Sequence, residues 1–375
     1  MIFFLLMLSS TVLLTLCRHR VTCFYWIFLA LVSAFRYQVG TDYPNYVNLY
    51  YDIKSGYKSY LHLEPFHLIL NKLALSLNFG PQFIFFIYSL LTTFLFALFY
   101  YKAAKACQGL NAKMIFAIST ILYVGNYYFL TLNSIRSCLA AALYVGSLYC
   151  FLKEKRLMMF LLLLIGSTIH FSLIPIALLT IVMLKFVFPV KKSTFFVFAA
   201  ILIANPISIV KYIFVTYKLM YYNYFLSNTF AVPATFIGQV SAYGGVLLAL
   251  VFYSLFTRYI RLEDKKLKAI LQLSIMLFIA FRIFSSELFV FARMSRYFSP
   301  VLYFFTALAI AHYLQLRVRP AFRAASLFCV VLALVVSNIV MFMPRGLGDA
   351  SYGNYKINYC INTISVCDIP ISTMD

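Results

Sequence analysis

The stretch Arg18–Ile53, RHRVTCFYWIFLALVSAFRYQVGTDYPNYVNLYYDI, decides how the rest of the chain is read. Arg18 and Arg20 flank one end of an apolar run over residues 21–36, and Arg36 closes the other end. Polar chemistry follows at once, with Gly40-Thr41-Asp42-Tyr43-Pro44 and Tyr37, Tyr43, Tyr46, Tyr50 and Tyr51 packed together. A helix crosses the hydrocarbon core with about 17 to 25 apolar residues. A basic flank on one side and an aromatic, polar segment on the other fit a membrane span entering from the cytoplasm.

Working outward, the same alternation recurs along all 375 residues. Hydrophobic side chains make up 64% and charged ones 11%, with a mean hydropathy of +0.91. A soluble domain carries about a quarter charged residues, so a lipid solvent explains this surface. The first seventeen residues lack a basic leader and a small-residue cleavage site, and read as a span rather than a signal peptide. The net charge of +21 falls in short clusters between apolar runs, which excludes a nucleic-acid-binding stripe. The eight cysteines have no metal-ligand spacing. Cys360 and Cys367 lie in a polar tail, where both a disulfide and two free thiols remain open.

The pattern predicts an all-α polytopic membrane protein of about twelve transmembrane helices. Spans are expected near 1–17, 21–36, 82–101, 114–130, 134–152, 157–170, 171–188, 193–210, 236–257, 269–285, 298–315 and 322–343. Residues 157–188 fit either two short helices or one long, broken one. Residues 64–79, EPFHLILNKLALSLNF, read as an interfacial or re-entrant helix with Pro65 in its first turn. Residues 1–345 form one transmembrane domain and 346–375 a tail. Placing the clusters from Arg18/Arg20 to Arg317/Arg319/Arg323 on one side collects 19 of the 31 basic residues with three acids. That side is cytoplasmic by the positive-inside rule, which puts both termini and the segment after Arg36 outside. The cytoplasmic loops are short and have no Gly-rich phosphate cradle, so any chemistry is expected on the outer face.

Several polar residues there need a reason. Arg36 and Asp42 suit either a capped helix end with a tyrosine belt, or an anion grip beside a proton or hydroxyl acceptor, with Tyr43 and its neighbours stacking a sugar. Arg136 falls in the first turn of a span, where a guanidinium faces a cavity or a partner, or snorkels to the interface. His170, in IGSTIHFSLIPIALL, is either a hydrogen-bonded structural imidazole or a base for an attacking hydroxyl. In FRIFSSELFVFARMSRYFSP, Arg293 and Arg296 are three apart and share a helical face. They suit a solvated interfacial pair or a diphosphate clamp, with Glu287 as counter-ion or second base. YKLMYYNYF over Tyr217–Phe225 adds Tyr222, by itself only part of an aromatic belt.

These blocks resemble the EpsG family of polysaccharide polymerases, related to the Wzy type. FRYQVGTDYPNYVNLYYDI is similar to its Arg-x-x-x-Gly-Thr-Asp-Tyr-x-x-Tyr signature. NSIRSCLAAALYVGSLYCFLKEKRLMMFLLLLIGSTIHFSLIPI and RMSRYFSP are similar to its second and third blocks, in the same order. Cys138 stands where a small or polar residue is usual. The resemblance implies a glycosyltransferase of the bacterial inner membrane that polymerises undecaprenyl-diphosphate-linked repeat units at the outer leaflet. The product class is O-antigen, capsule or exopolysaccharide, as part of lipopolysaccharide or other surface glycan. On that resemblance Arg136, Arg293 and Arg296 hold the diphosphates, Arg36 and Asp42 position the acceptor, and His170 is the base, with Asp42 next. Tyr43, Tyr222 and Glu287 complete the expected substrate contacts. Neither a cofactor nor a metal is expected. The expected partners are the lipid-linked glycans, membrane lipid and a chain-length regulator.

Three other functions use similar parts. A repeat-unit flippase would carry its charges in a cavity open to both sides. An O-antigen ligase would have one large outer loop. An acyltransferase would place its histidine near a cytoplasmic acyl donor. Here the unusual charges sit on the outer side and the outer loops are moderate and dispersed.

Overall fold

A computed structural model describes residues 7–13, 19–37, 39–40, 42–56, 63–107, 109–204, 207–218, 226, 236–260, 264–285, 289–315 and 358–359. The expected span 322–343, nearly all of the tail, Tyr222, Glu287, Cys360 and Cys367 lie outside the described residues, and of 1–17 only the helical stretch 7–13 is described.

The described residues are helical almost throughout. Helix α1 (His19–Ala34) ends on the two-residue strand β1 (Arg36–Tyr37), and α2 (Tyr43–Lys54) and α3 (Pro65–Ser76) follow. Then come α4 (Gln82–Ala106), α5 (Ala112–Asn133) and α6 (Ile135–Leu152). The second half holds α7 (Arg156–Ile169), α8 (Leu173–Phe186), α9 (Lys192–Ile203), α10 (Ile207–Thr216) and α11 (Phe236–Tyr259). It closes with α12 (Lys265–Phe284), α13 (Phe289–Ser295) and α14 (Ser299–Gln315). A second short strand, β2 (Asn358–Tyr359), pairs antiparallel with β1, Arg36 opposite Tyr359.

Five stretches are long and apolar enough to cross a bilayer: α4, α5, α6, α12 and Phe291–Gln315, the last running through α13 and α14. With 25 residues at 1.5 Å each, α4 is about 37 Å long, more than the roughly 30 Å of hydrocarbon. Shorter apolar helices occur at Arg20–Ala34, Arg156–Ile169, Leu173–Phe186, Lys192–Ile203 and Ala242–Arg258. This is a multi-pass membrane protein with five such candidate spans among its described residues. Residues 157–188 form two helices, because the chain leaves α7 at His170 in extended conformation and restarts after Ser172. The expected span 193–210 divides into α9 and α10.

Small residues let the helices approach. Gly146 of α6 lies on the Phe99 ring of α4 so closely that a Cβ there would stand 2.2 Å from Phe99 Cζ. An aromatic slab fills the space between α1, α4 and α5. The Trp26 and Tyr123 ring centroids are 4.7 Å apart, and Trp26 Nε1 donates to Thr120 Oγ1 at 3.0 Å. Inside α5 the residues Val124–Tyr128 widen into one π turn. At one end of the helices the basic residues are solvated or paired, with Lys266 Nζ on Glu154. There Asp264 caps α12 and Asn111 caps α5, each accepting two backbone N–H bonds.

The sequence left residues 43–54 as turn and tyrosine belt, but they form α2. Its Tyr43, Tyr46, Val47 and Tyr50 follow helical periodicity and face inward, with only Tyr51 of the five tyrosines exposed. Helix α3 starts on Pro65 as expected and, at 12 residues, is too short to span.

Candidate functional site

The polar residues gather at the end of the helices opposite the lysine-rich turns. Four short links between elements bring them there.

The first link fixes the segment after α1. Gln82, buried at the start of α4, donates from Nε2 to Ala34 O at 2.7 Å and to Arg36 O at 2.9 Å. Its Oε1 accepts from the Tyr43 hydroxyl at 3.1 Å, and the Tyr43 ring stacks on Phe85 with centroids 4.3 Å apart. Arg36 is 1% exposed. Its Nη1 donates to Ser33 O, Ser33 Oγ and Ser89 Oγ at 2.7, 3.1 and 2.9 Å, and its guanidinium carbon lies 4.9 Å from the Phe85 centroid. Arg36 and Tyr43, expected as substrate contacts, are thus buried where they fasten α1 and α2 to α4.

The second link carries Asp42. Gly40 adopts φ +99°, a region that favours glycine, and a Cβ there would meet Leu132 O at 2.9 Å. This close approach lets Asp42 N donate to Asn133 Oδ1 at 2.9 Å, which pins the turn to the α5–α6 junction. Burial raises the pKa of the Asp42 carboxyl, and the charges of Arg293, Arg136 and Arg296 oppose that rise.

The third link centres on Glu64, the residue before α3. Its Oε2 accepts from Arg136 Nη1 and its Oε1 from His170 Nδ1 at 2.8 Å. The Glu64 side chain is 8% exposed, and those of Arg136 and His170 are each 25% exposed. Burial alone would raise the Glu64 pKa, but the bond from His170 and the Arg136 charge outweigh it and hold the carboxyl at about 2. The Arg136 guanidinium also lies 5.4 Å from the Tyr46 ring centroid.

The fourth link brings in α13. Ser172 Oγ and the buried Tyr297 hydroxyl are 2.9 Å apart, which ties the α7–α8 break to the start of α14. Arg296 N donates to Arg293 O at 3.2 Å, so the two arginines flank a tight turn where α13 ends at Ser295, Arg293 exposed and Arg296 half-buried. Both act electrostatically on Asp42. Among the described residues no group of three or more His, Cys, Asp or Glu is placed to hold a metal ion.

A family model for the EpsG family matches residues 19–356. The chain belongs to the EpsG family. No curated protein and no solved structure matches it.

The match covers every block on which the sequence resemblance rested. Within this EpsG-family chain the structure brings together Asp42, Arg136, His170, Arg293 and Arg296, buries Arg36 and Tyr43, and leaves Tyr222 and Glu287 outside the described residues. Sequence reasoning missed Glu64, Gln82 and Asn133. For Glu64 there was a signal: it is one of only ten acids, it precedes Pro65 at the head of an amphipathic segment, and a carboxylate there needs partners.

Proposed function

We propose that this protein is a metal-independent glycosyltransferase of the bacterial inner membrane, polymerising undecaprenyl-diphosphate-linked repeat units at the outer leaflet. About twelve spans with both termini outside complete the topology. The observation that supports this most is the meeting of Arg136, Arg293 and Arg296 with Asp42 and His170 at the end remote from the cationic turns. Family membership supports the same reading.

In the reaction, a hydroxyl at the non-reducing end of a new repeat unit attacks the anomeric carbon of the growing glycan. The glycosyl–oxygen bond to the carrier diphosphate breaks, and the diphosphate leaves with the electron pair. Guanidiniums supply fork-shaped donors that match phosphate oxygens and stabilise the charge building on the leaving group. The hydroxyl proton passes to His170, with Asp42 the next candidate. A single displacement inverts the anomeric centre.

The test is the surface-glycan ladder of the host lacking this protein, complemented with the intact form or with Arg136→Ala. Single repeat units reaching the surface without a ladder support polymerisation. Loss of even single units overturns it in favour of a transporter or a ligase.

A further inference from the structure

We infer that Glu64 is a positioning residue for this reaction, fixing which nitrogen of His170 takes the proton and holding that nitrogen in register with Arg136. The inference rests on the proposed polymerase reading and on bonds already described. An ionised carboxylate only accepts hydrogen bonds, so the His170 nitrogen 2.8 Å from Glu64 Oε1 carries the hydrogen. That nitrogen is Nδ1, which leaves the lone pair of the neutral ring on Nε2.

The two Glu64 bonds define the arrangement. Extended backbone at His170, between two short helices, provides no helical packing to set the ring orientation. The carboxylate comes from a different element, 106 residues earlier, at the head of α3. Its second oxygen is held by Arg136 from the first turn of α6, so one buried group spans three elements and sets base and guanidinium relative to each other. In the step itself Nε2 accepts the hydroxyl proton, the imidazolium keeps its Nδ1–H on Glu64, and the Glu64 charge faces the new cation. Glu64 touches no reacting atom.

A double-mutant cycle in the host strain tests this, with the native lipid-linked units as substrate and polymer-to-single-unit ratio as readout. Membrane abundance of each full-length variant is measured alongside. Glu64→Ala is expected to lower polymerisation about 10- to 100-fold, a part of the roughly 100- to 10,000-fold that a positioned general base supplies. His170→Ala is expected to lower it at least as far, and the double variant to be no slower than His170→Ala alone, because residues that act as a unit are non-additive. Effects that multiply in the double variant, or a Glu64→Ala form with the ladder of the intact protein, would overturn the inference. Where Glu64→Ala does not accumulate, Glu64→Gln carries the same cycle. Its amide oxygen still accepts the Nδ1 hydrogen, so it is expected to lose less than His170→Ala, and a loss equal to or larger than that overturns the inference. An intact ladder from His170→Ala removes the base assignment itself, a separate result from any failure of Glu64.

Discussion

Lowering the pH from 6 to 3 sets the Glu64 ion pair against every other carboxyl in the chain. In the folded protein this carboxyl is held down at about 2, against 4.5 in the unfolded chain. A depressed pKa contributes stability that is complete above about 4.5 and is lost as pH falls through about 2. At roughly 1.4 kcal/mol per unit, the gap of about 2.5 units is worth about 3 kcal/mol. By pH 3 the unfolded chain has taken up nearly all of that proton and the folded chain about a tenth, so about 2 kcal/mol is gone. The assay compares thermal unfolding of the purified intact protein with Glu64→Gln in one detergent at both pH values. Titration of groups that do not touch Glu64, Asp42 included, is common to both proteins and drops out of the difference, and repeating the comparison in a His170→Asn background separates the part that passes through the imidazole. The lead of the intact protein over Glu64→Gln is expected to shrink by roughly 2 to 3 °C between pH 6 and pH 3. A lead that stays constant would mean that Arg136 and His170 do not hold this carboxylate ionised, and the reasoning would fail.

Gly40→Ala forces a side chain into a left-handed conformation against the Leu132 carbonyl, and a loss of about 1 to 3 kcal/mol is expected from backbone strain alone. A lowered unfolding temperature together with a lost ladder would follow, and an unchanged temperature would refute it. Gln82→Leu leaves the Ala34 and Arg36 carbonyls and the Tyr43 hydroxyl without their partner, with an expected cost of about 2 to 4 kcal/mol in the same thermal assay. Arg293→Lys and Arg296→Lys keep the charge and lose the fork, so glycan gels should show shorter ladders at unchanged membrane abundance. Ladders of full length would argue against a bidentate phosphate contact.

Legibility in the sequence followed the chemistry of each residue. The spans from α4 to α6 were readable because uninterrupted apolar runs have one cheap environment, and their ends moved by only a few residues. Arg136 and His170 were readable for the opposite reason, since an ionisable group beside an apolar run demands a partner. Tyrosine was ambiguous: an amphipathic ring suits both an interfacial belt and a buried stack. The spacing of Tyr43, Tyr46, Val47 and Tyr50 held the answer, because that period belongs to one helix face. Arg36 was open in the same way, read as a capped helix end or an anion grip, and its serine and aromatic partners enclose it. The π turn at Val124–Tyr128 has no sequence mark that we recognise. Glu64 pairs with residues 72 and 106 positions away, and no local pattern encodes contacts of that range.

The same long-range pairing bears on how an arginine-rich site turns over. Guanidiniums crowded at a helix end repel one another, and an unopposed cluster would hold any diphosphate that reached it. Here two carboxylates share that field, Glu64 by direct bonds to Arg136 and His170, and Asp42 from within the reach of Arg293, Arg136 and Arg296. On the proposed reading, each substrate diphosphate competes with a resident anion. Part of its binding energy then goes into polarising those pairs, which stay bonded and relax as the product leaves. Arginine supplies the charge that the leaving group needs in the transition state. The carboxylates keep that charge from becoming a trap in the ground state, because only binding that is stronger in the transition state speeds the chemical step.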